Sequence, residues 1–227
     1  MESLRVREEN VHVISHPYAQ ELLTIIRDKS TEYYMFRSIL EEIGYIIGLE
    51  IVKNMDTREV YTETPLGVKA KGIKIIDKDN VVIINVLRAS IPLVNGLLKI
   101  FKKARLGFVV AQRLEDKIMF NNEGMKFEIK ISYMNIPEIR REDTVIIPDP
   151  MIATASTILN TIPLIIKKGE PKRLIVASVI ITSEAIKKIK KHYNNVELYT
   201  IAVDPKLNSK GYIVPGLGDA GDRYTGT

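Results

Sequence analysis

Five runs rich in valine and isoleucine recur along the last two thirds of the sequence, at Val81–Leu87, 107–111, Thr144–Pro148, 173–181 and 196–202. Each is apolar almost without interruption, whereas a strand with one wet face alternates polar and apolar residues. Such runs suit strands covered on both faces, the situation of a parallel sheet. Between most of them lies a helical pattern. Residues 91–103 carry Pro92 near their start, 156–168 end at Gly169, and 183–193 open on Ser183 as a cap. The alternation predicts βαβ crossovers and an α/β fold: an open, mostly parallel five-stranded sheet flanked by helices, with ligands outside the carboxyl ends of the strands.

Ahead of this core, residues 18–27 and 32–53 show apolar side chains at helical spacing, among them Phe36, Ile39, Leu40, Ile43, Ile46 and Ile47. They predict amphipathic helices packed on the sheet. Residues 114–141 are charged, contain Asn121-Asn122-Glu123-Gly124 and then alternate from Lys126 to Ile131, which predicts a β-hairpin arm projecting from the sheet. Residues 208–227 are rich in glycine with little periodicity and read as a loop. The whole reads as a single domain: helices over 11–53, an α/β core over 81–205 with its arm at 114–141, and a tail over 206–227.

With 227 residues, 45% hydrophobic and 27% charged, the chain has the composition of a globular protein and is excluded from the disordered and fibrous classes. It has no cysteine, which rules out disulfides, thiolate nucleophiles and cysteine zinc sites and fits a reducing compartment. No stretch of about 18 apolar residues is free of charge, and the first ten residues carry no apolar leader core. A cytoplasmic protein with no membrane partner is expected. The net charge of +5 is assigned to solvated faces, such as the one carrying Lys187, Lys188, Lys190 and Lys191, so nucleic acid is not expected as a partner.

The stretch richest in chemistry runs from Thr144 through Asp149-Pro150-Met151-Ile152-Ala153-Thr154-Ala155-Ser156-Thr157. A buried strand ends in an acid, and small hydroxylated residues lead into a helix. Unpaired N–H groups at a helix start, joined by the hydroxyls of Thr154, Ser156 and Thr157, can hold a phosphate dianion; a plain capped helix after a strand would read the same way. Arg88 follows the first strand and Arg113 the second, and two guanidinium forks at strand ends suit a pyrophosphate. Gly216-Leu217-Gly218-Asp219-Ala220-Gly221 matches G-x-G-x-x-G, yet Pro215 precedes it and no acid lies about 20 residues on, so a dinucleotide fold is excluded. Its glycines let backbone approach a flat ligand, and backbone N–H, C=O and N–H can read a planar base. The dispersed histidines His12, His16 and His192 give no metal-ligand spacing, and no P-loop or G-x-S-x-G elbow occurs.

Taken together these segments resemble the uracil phosphoribosyltransferase family of the type I phosphoribosyltransferase group. Asp149-Pro150-Met151-Ile152-Ala153-Thr154 is similar to that family's loop for 5-phospho-α-D-ribose 1-diphosphate (PRPP). The run from Gly211-Tyr212-Ile213-Val214-Pro215 to Asp222-Arg223 resembles its uracil signature. His16-Pro17, Arg27-Asp28-Lys29, Phe36-Arg37 and Leu87-Arg88-Ala89 carry the resemblance further, from about residue 11 onward.

The resemblance implies a pentosyltransferase of pyrimidine salvage that converts uracil and PRPP to UMP and pyrophosphate, with Mg²⁺ brought mainly by PRPP and no protein metal site. It implies catalytic roles for Arg88, Arg113, Asp149 and Asp219. PRPP would be bound by Arg88, Arg113, Asp149, Pro150, Met151, Ile152, Ala153, Thr154, Ala155, Ser156, Thr157 and Asp219, and uracil by Ile213, Gly218, Asp219 and Ala220. A homo-oligomer, dimer or tetramer, and allosteric activation by a GTP effector are further expectations, without residues assigned to them. Two departures stand out: the usual Ala-Thr-Gly-Gly is Ala153-Thr154-Ala155-Ser156 here, and Leu-Arg-Ala-Gly is Leu87-Arg88-Ala89-Ser90. A catalytically silent nucleotide-sensing regulator on the same fold is the alternative that such drift raises. Residues 1–10 precede the resemblance and are expected to form a disordered extension.

Overall fold

A computed structural model of the chain describes residues 10–122 and 124–227. The expectation for residues 1–10 therefore lies outside the described residues except at Asn10, and so does Glu123 in the turn of the arm. The chain opens with β1 (Val11–Val13), α1 (Pro17–Arg27), α2 (Tyr33–Lys53) and a hairpin of β2 (Thr57–Glu63) and β3 (Lys69–Ile75). Next come β4 (Val81–Leu87), α3 (Ile91–Ile100), β5 (Arg105–Asn121), β6 (Gly124–Asn135), β7 (Thr144–Pro148) and β8 (Met151–Ile152). The last third is α4 (Ser156–Ile166), β9 (Arg173–Thr182), α5 (Ser183–His192), β10 (Glu197–Asp204), β11 (Lys206–Leu207), β12 (Ile213–Val214) and α6 (Ala220–Thr225).

The five apolar runs form the middle of one sheet in the order β10-β9-β7-β4-β5, all parallel; β1 extends it beside β10, β6 closes the other edge antiparallel to β5, and β8 pairs with β9 off this path. The reason for their uninterrupted apolar character is visible in β4. Val81 and Ile83 pack with α1, α2 and α3 on one face. Val82, Ile84 and Val86 pack with Ile158, Ile162 and Ile165 of α4 and Ile186 and Ile189 of α5 on the other. Both sides of the pleat are dry, so both registers must be apolar. Helices α2 and α3 touch through glycines: a Cβ on Gly44 would sit 2.4 Å from the Leu93 carbonyl oxygen, and one on Gly96 would sit 2.0 Å from that of Glu41.

Five features differ from the sequence reading. Among the described residues the mostly parallel sheet has eight strands rather than five, because β1, β6 and β8 join the five apolar runs, and β1 lies in a stretch read as helices alone. The hairpin β2–β3 was not anticipated, because its strands are largely exposed and show no apolar face to give it away. The arm begins inside the sheet at Arg105 and ends at Asn135, short of 141. Its returning strand does not project freely, since Met125 and Phe127 are buried against the body. The tail holds the short antiparallel pair β11–β12 and the helix α6 rather than loop alone. Helix α5 is capped by Thr182, whose hydroxyl accepts from the Ala185 N–H at 3.0 Å, and not by Ser183.

Candidate active site

The sheet order places β5 on one side of β4 and β7 on the other, so the chain reverses direction of travel at β4. In an open α/β sheet this switch point leaves a crevice at the carboxyl ends of the two strands. A cavity of about 1000 Å³ lies there, lined by Arg88 and Ala89 after β4, Gln112 and Arg113 of β5, residues 149–158 after β7, and Tyr212 with residues 219–222 of the tail. Segments distant in sequence thus meet in one hollow. Arg113 is inside β5 rather than after it, because β5 runs on to Asn121, but the pairing of β5 with β4 stops at Val110 and leaves Arg113 at the mouth. Of the predicted residues, Ile213 and Gly218 are not part of this lining; Ile213 is buried in the core with Leu217 and Ala220. Tyr212, Gly221 and Asp222, which belong to the quoted tail motifs without a role of their own, also line the cavity.

The loop from Asp149 to Ser156 is shaped by its neighbours. Met151 and Ile152 pair with Ile180 and Ile181 as β8, and the Thr182 hydroxyl donates to the Ala153 carbonyl at 2.7 Å. The Met151 N–H donates to Asp149 Oδ1 at 3.2 Å. The hydroxyls of Thr154 and Ser156, expected as phosphate donors, are buried and lie 2.8 Å from each other, with Ser156 Oγ also accepting the Phe127 N–H at 3.1 Å. Ala155, where the resembling family has glycine, is left-handed at φ 61° and takes the N-cap position of α4 with no side-chain cap. The close backbone turn required here is therefore retained with alanine in it.

The Asp149 carboxyl is the most perturbed acid of the site. Burial pushes it up to about 6 from an ordinary 3.8, against the opposing pull of the Met151 N–H and the Arg113 charge. Arg88 reaches across the mouth, 3.8 Å from Asp222, with its side chain largely exposed. Asp219 caps α6, its Oδ1 accepting from the N–H groups of Gly221 at 2.8 Å and Asp222 at 3.0 Å, which leaves Oδ2 outside those bonds. The peptide bonds Leu87–Arg88 and Val214–Pro215 are cis.

The tail is held in place by arginines from elsewhere. Arg27 of α1 forms a fork with Asp204, at 2.7 and 2.9 Å, and donates to the Gly216 carbonyl at 2.8 Å; Asp204 Oδ2 accepts the Gly216 N–H at 2.8 Å. Arg223 donates to the carbonyls of Ile26, Leu217 and Asp28 and lies 4.5 Å over the Phe36 ring. Arg37 donates to the Tyr224 carbonyl at 2.6 Å. Residues 27, 28, 36 and 37, which carried part of the resemblance without a role, grip the tail. Asp204 was missed, although an acid at the carboxyl end of a buried strand is the same signal that drew attention to Asp149.

Residues 13–227 match the sequence pattern of the family described as uracil phosphoribosyltransferase. The chain belongs to the uracil phosphoribosyltransferase family. A relative named uracil phosphoribosyltransferase from Sulfurisphaera tokodaii is 48% identical over 214 residues, covering 94% of this chain and 98% of the relative. Another of that name, from Thermococcus gammatolerans, is 47% identical over 92% of this chain and 90% of its own length. The solved structure of the AQ2163 protein from Aquifex aeolicus superposes with a TM-score of 0.82 at 29% identity, over 94% of this chain and 97% of that one. As a uracil phosphoribosyltransferase the chain is a pentosyltransferase enzyme. Its glycine-rich tail is thereby separated from the dinucleotide fingerprint it superficially matches: the strand before it, β12, has two residues and pairs only with β11.

Proposed function

We propose that the cavity at the ends of β4 and β7 joins uracil to the ribose 5-phosphate of PRPP, giving UMP and pyrophosphate as a step of pyrimidine salvage. One observation carries this reading: Arg88, Arg113, the 149–157 loop and Asp219–Ala220 converge on a single hollow. The N–H groups at the start of α4, with Thr157, hold the 5-phosphate. Arg88 and Arg113 meet the diphosphate and stabilise charge on it as it leaves C1 of the ribose. Uracil N1 attacks the same carbon through an oxocarbenium-like transition state, with no covalent enzyme intermediate. The chain's task is then positioning and exclusion of water. Asp149 and Asp219 accept from ribose hydroxyls and offset positive charge on the ring.

Of the tail residues assigned to the base, Ala220 lies in the lining; Ile213 and Gly218 lie outside it, each next in the chain to a lining residue, Tyr212 and Asp219, and their backbone groups would complete the reading of the base. Uracil presents acceptor, donor and acceptor along O2, N3–H and O4, the complement of N–H, C=O and N–H. Cytosine would face like groups at two places, and unpaired buried polar groups cost roughly 10⁴–10⁵ in discrimination. Among the described residues no group of three or more histidine or acidic side chains could cage a metal ion. A Mg²⁺ brought by the diphosphate would neutralise its charge there, with Asp149, Asp219 and Asp222 as the acids of the lining.

Assembly into a homo-oligomer is supported by the hairpin β2–β3, whose strands pair only with each other among the described residues and which exposes Tyr61 and Ile73 on its strands and Leu66 and Val68 in its turn. An isolated two-stranded hairpin is marginal in water without a surface to lie on. Activation by GTP and a cytoplasmic location complete the reading; no helix among the described residues is long and apolar enough to cross a membrane. Sedimentation tests the assembly, and initial rates against GTP test the effector. The reaction is tested by pyrophosphate release from PRPP and Mg²⁺ with uracil, cytosine, orotate, hypoxanthine or no base. Release with uracil alone, and UMP as product, is expected. Release with none of them, despite measurable ligand binding, would replace the enzyme by a sensor.

A further inference from the structure

Phe127 of β6 touches three of the segments that build the cavity. Its ring is 1% exposed. The Arg113 guanidinium carbon lies 4.9 Å from the ring centroid. The Phe127 N–H donates to Ser156 Oγ at the start of α4. The ring also rests on Gly211 so closely that a Cβ there would come within 2.6 Å of two ring carbons. Two residues earlier, the Met125 carbonyl accepts from Lys188 Nζ at 2.7 Å, and this buried lysine is paired with Glu184 at 2.6 Å. The strand is therefore fastened to α4, α5 and the tail at the ring and two residues before it.

A guanidinium over an aromatic face is attracted through that face, while its N–H groups point outward along the edges. The contact thus restrains the Arg113 guanidinium without consuming the donors that a diphosphate needs. We propose that Phe127 is a positioning residue for the transfer reaction: its ring orients Arg113 toward the diphosphate, and Ser156 and Gly211 hold the ring where it can do so. The serine that replaces a family glycine at 156 acquires a purpose here, as acceptor for the strand that carries the ring. The inference rests on the assignment of Arg113 to the diphosphate given above.

The test compares wild type, Phe127→Leu, Arg113→Ala and the double variant in uracil-dependent pyrophosphate release, with thermal midpoints as a check on folding. Phe127→Leu is expected to raise KM for PRPP about three- to thirty-fold, the span of a desolvated cation–ring contact. KM for uracil at saturating PRPP stays within about twofold, because uracil does not meet Arg113. In the Arg113→Ala background the leucine adds less than about twofold, since the group it acts through is gone. Phe127→Met, whose unbranched side chain adapts to an irregular gap, is read the same way should the leucine variant lose its fold. An equal rise in KM for PRPP in both backgrounds, or none in the wild-type background, overturns the proposal. Arg113→Ala with unchanged kinetics overturns the diphosphate assignment itself, a different result from failure of the ring alone.

Discussion

Asp149→Asn isolates what the site costs the fold. The Asp149 carboxyl is pushed up to about 6 from 3.8 chiefly by burial, so the folded state holds its proton more tightly than the unfolded chain does. The stability that this group contributes is complete below pH 3.8 and is lost as pH rises through 6. At about 1.36 kcal/mol per pH unit, the penalty on the charged form is about 0.5 kcal/mol at pH 4 and about 3 kcal/mol at pH 8. Water entering the mouth of the cavity makes the latter an upper value. Asparagine is neutral throughout, so its stability advantage over wild type widens by up to about 2.5 kcal/mol between pH 4 and pH 8. Urea unfolding of both proteins without ligands, at half-unit steps of pH, measures that gap, while the variant loses transferase activity. A gap constant within about 0.5 kcal/mol over the range would show that Asp149 sits in no dry environment and that burial does not set its titration.

Arg88→Ala removes one of two charges placed at the diphosphate, and kcat/KM is expected to fall about 100-fold or more; turnover within twofold of wild type would end that assignment. Ala155→Gly releases about 1–2 kcal/mol of left-handed strain and adds about 0.5–1 kcal/mol of chain entropy, so urea unfolding should show a stability equal to wild type or up to about 1.5 kcal/mol higher. A clear loss would mean that the methyl group packs favourably enough to outweigh the backbone. Asp204→Ala leaves the Arg27 guanidinium and the Gly216 N–H without their partner, a cost of about 3 kcal/mol, read as a thermal midpoint about 6–12 °C lower together with a raised KM for uracil. A shift in midpoint with KM for uracil unmoved would confine Asp204 to stability.

The sheet was legible because its chemistry is repetitive: the runs at 81–87 and 144–148 are apolar in both registers, and only a strand covered on both faces requires that. The site was legible where a residue type carries its own meaning, as with Arg88, Arg113 and the acid Asp149 at the edge of a hydrophobic run. What stayed hidden was relational. Phe127 reads in sequence as one apolar position of an alternating hairpin, and only the fold brings it against Arg113 and Gly211. The Ser156 hydroxyl reads as a phosphate donor, and its engagement with the Phe127 N–H depends on a strand 29 residues away in sequence. The hairpin β2–β3 was illegible for the opposite reason: it buries almost nothing within the chain, so no periodicity marks it.

The grip on the tail has a consequence for how the enzyme becomes active. Arg27 and Asp204 are 177 residues apart, Arg37 and Tyr224 are 187 apart, and Arg223 and Ile26 are 197 apart. Each contact closes a loop of most of the chain, and loop closure of that size gains nothing until the intervening sheet is in place. The βαβ units can assemble from short separations first, with the tail docking onto the finished scaffold afterwards. During refolding from denaturant, far-UV ellipticity should therefore recover before uracil binding does, and the interval between the two signals is the time the tail takes to find α1 and α2.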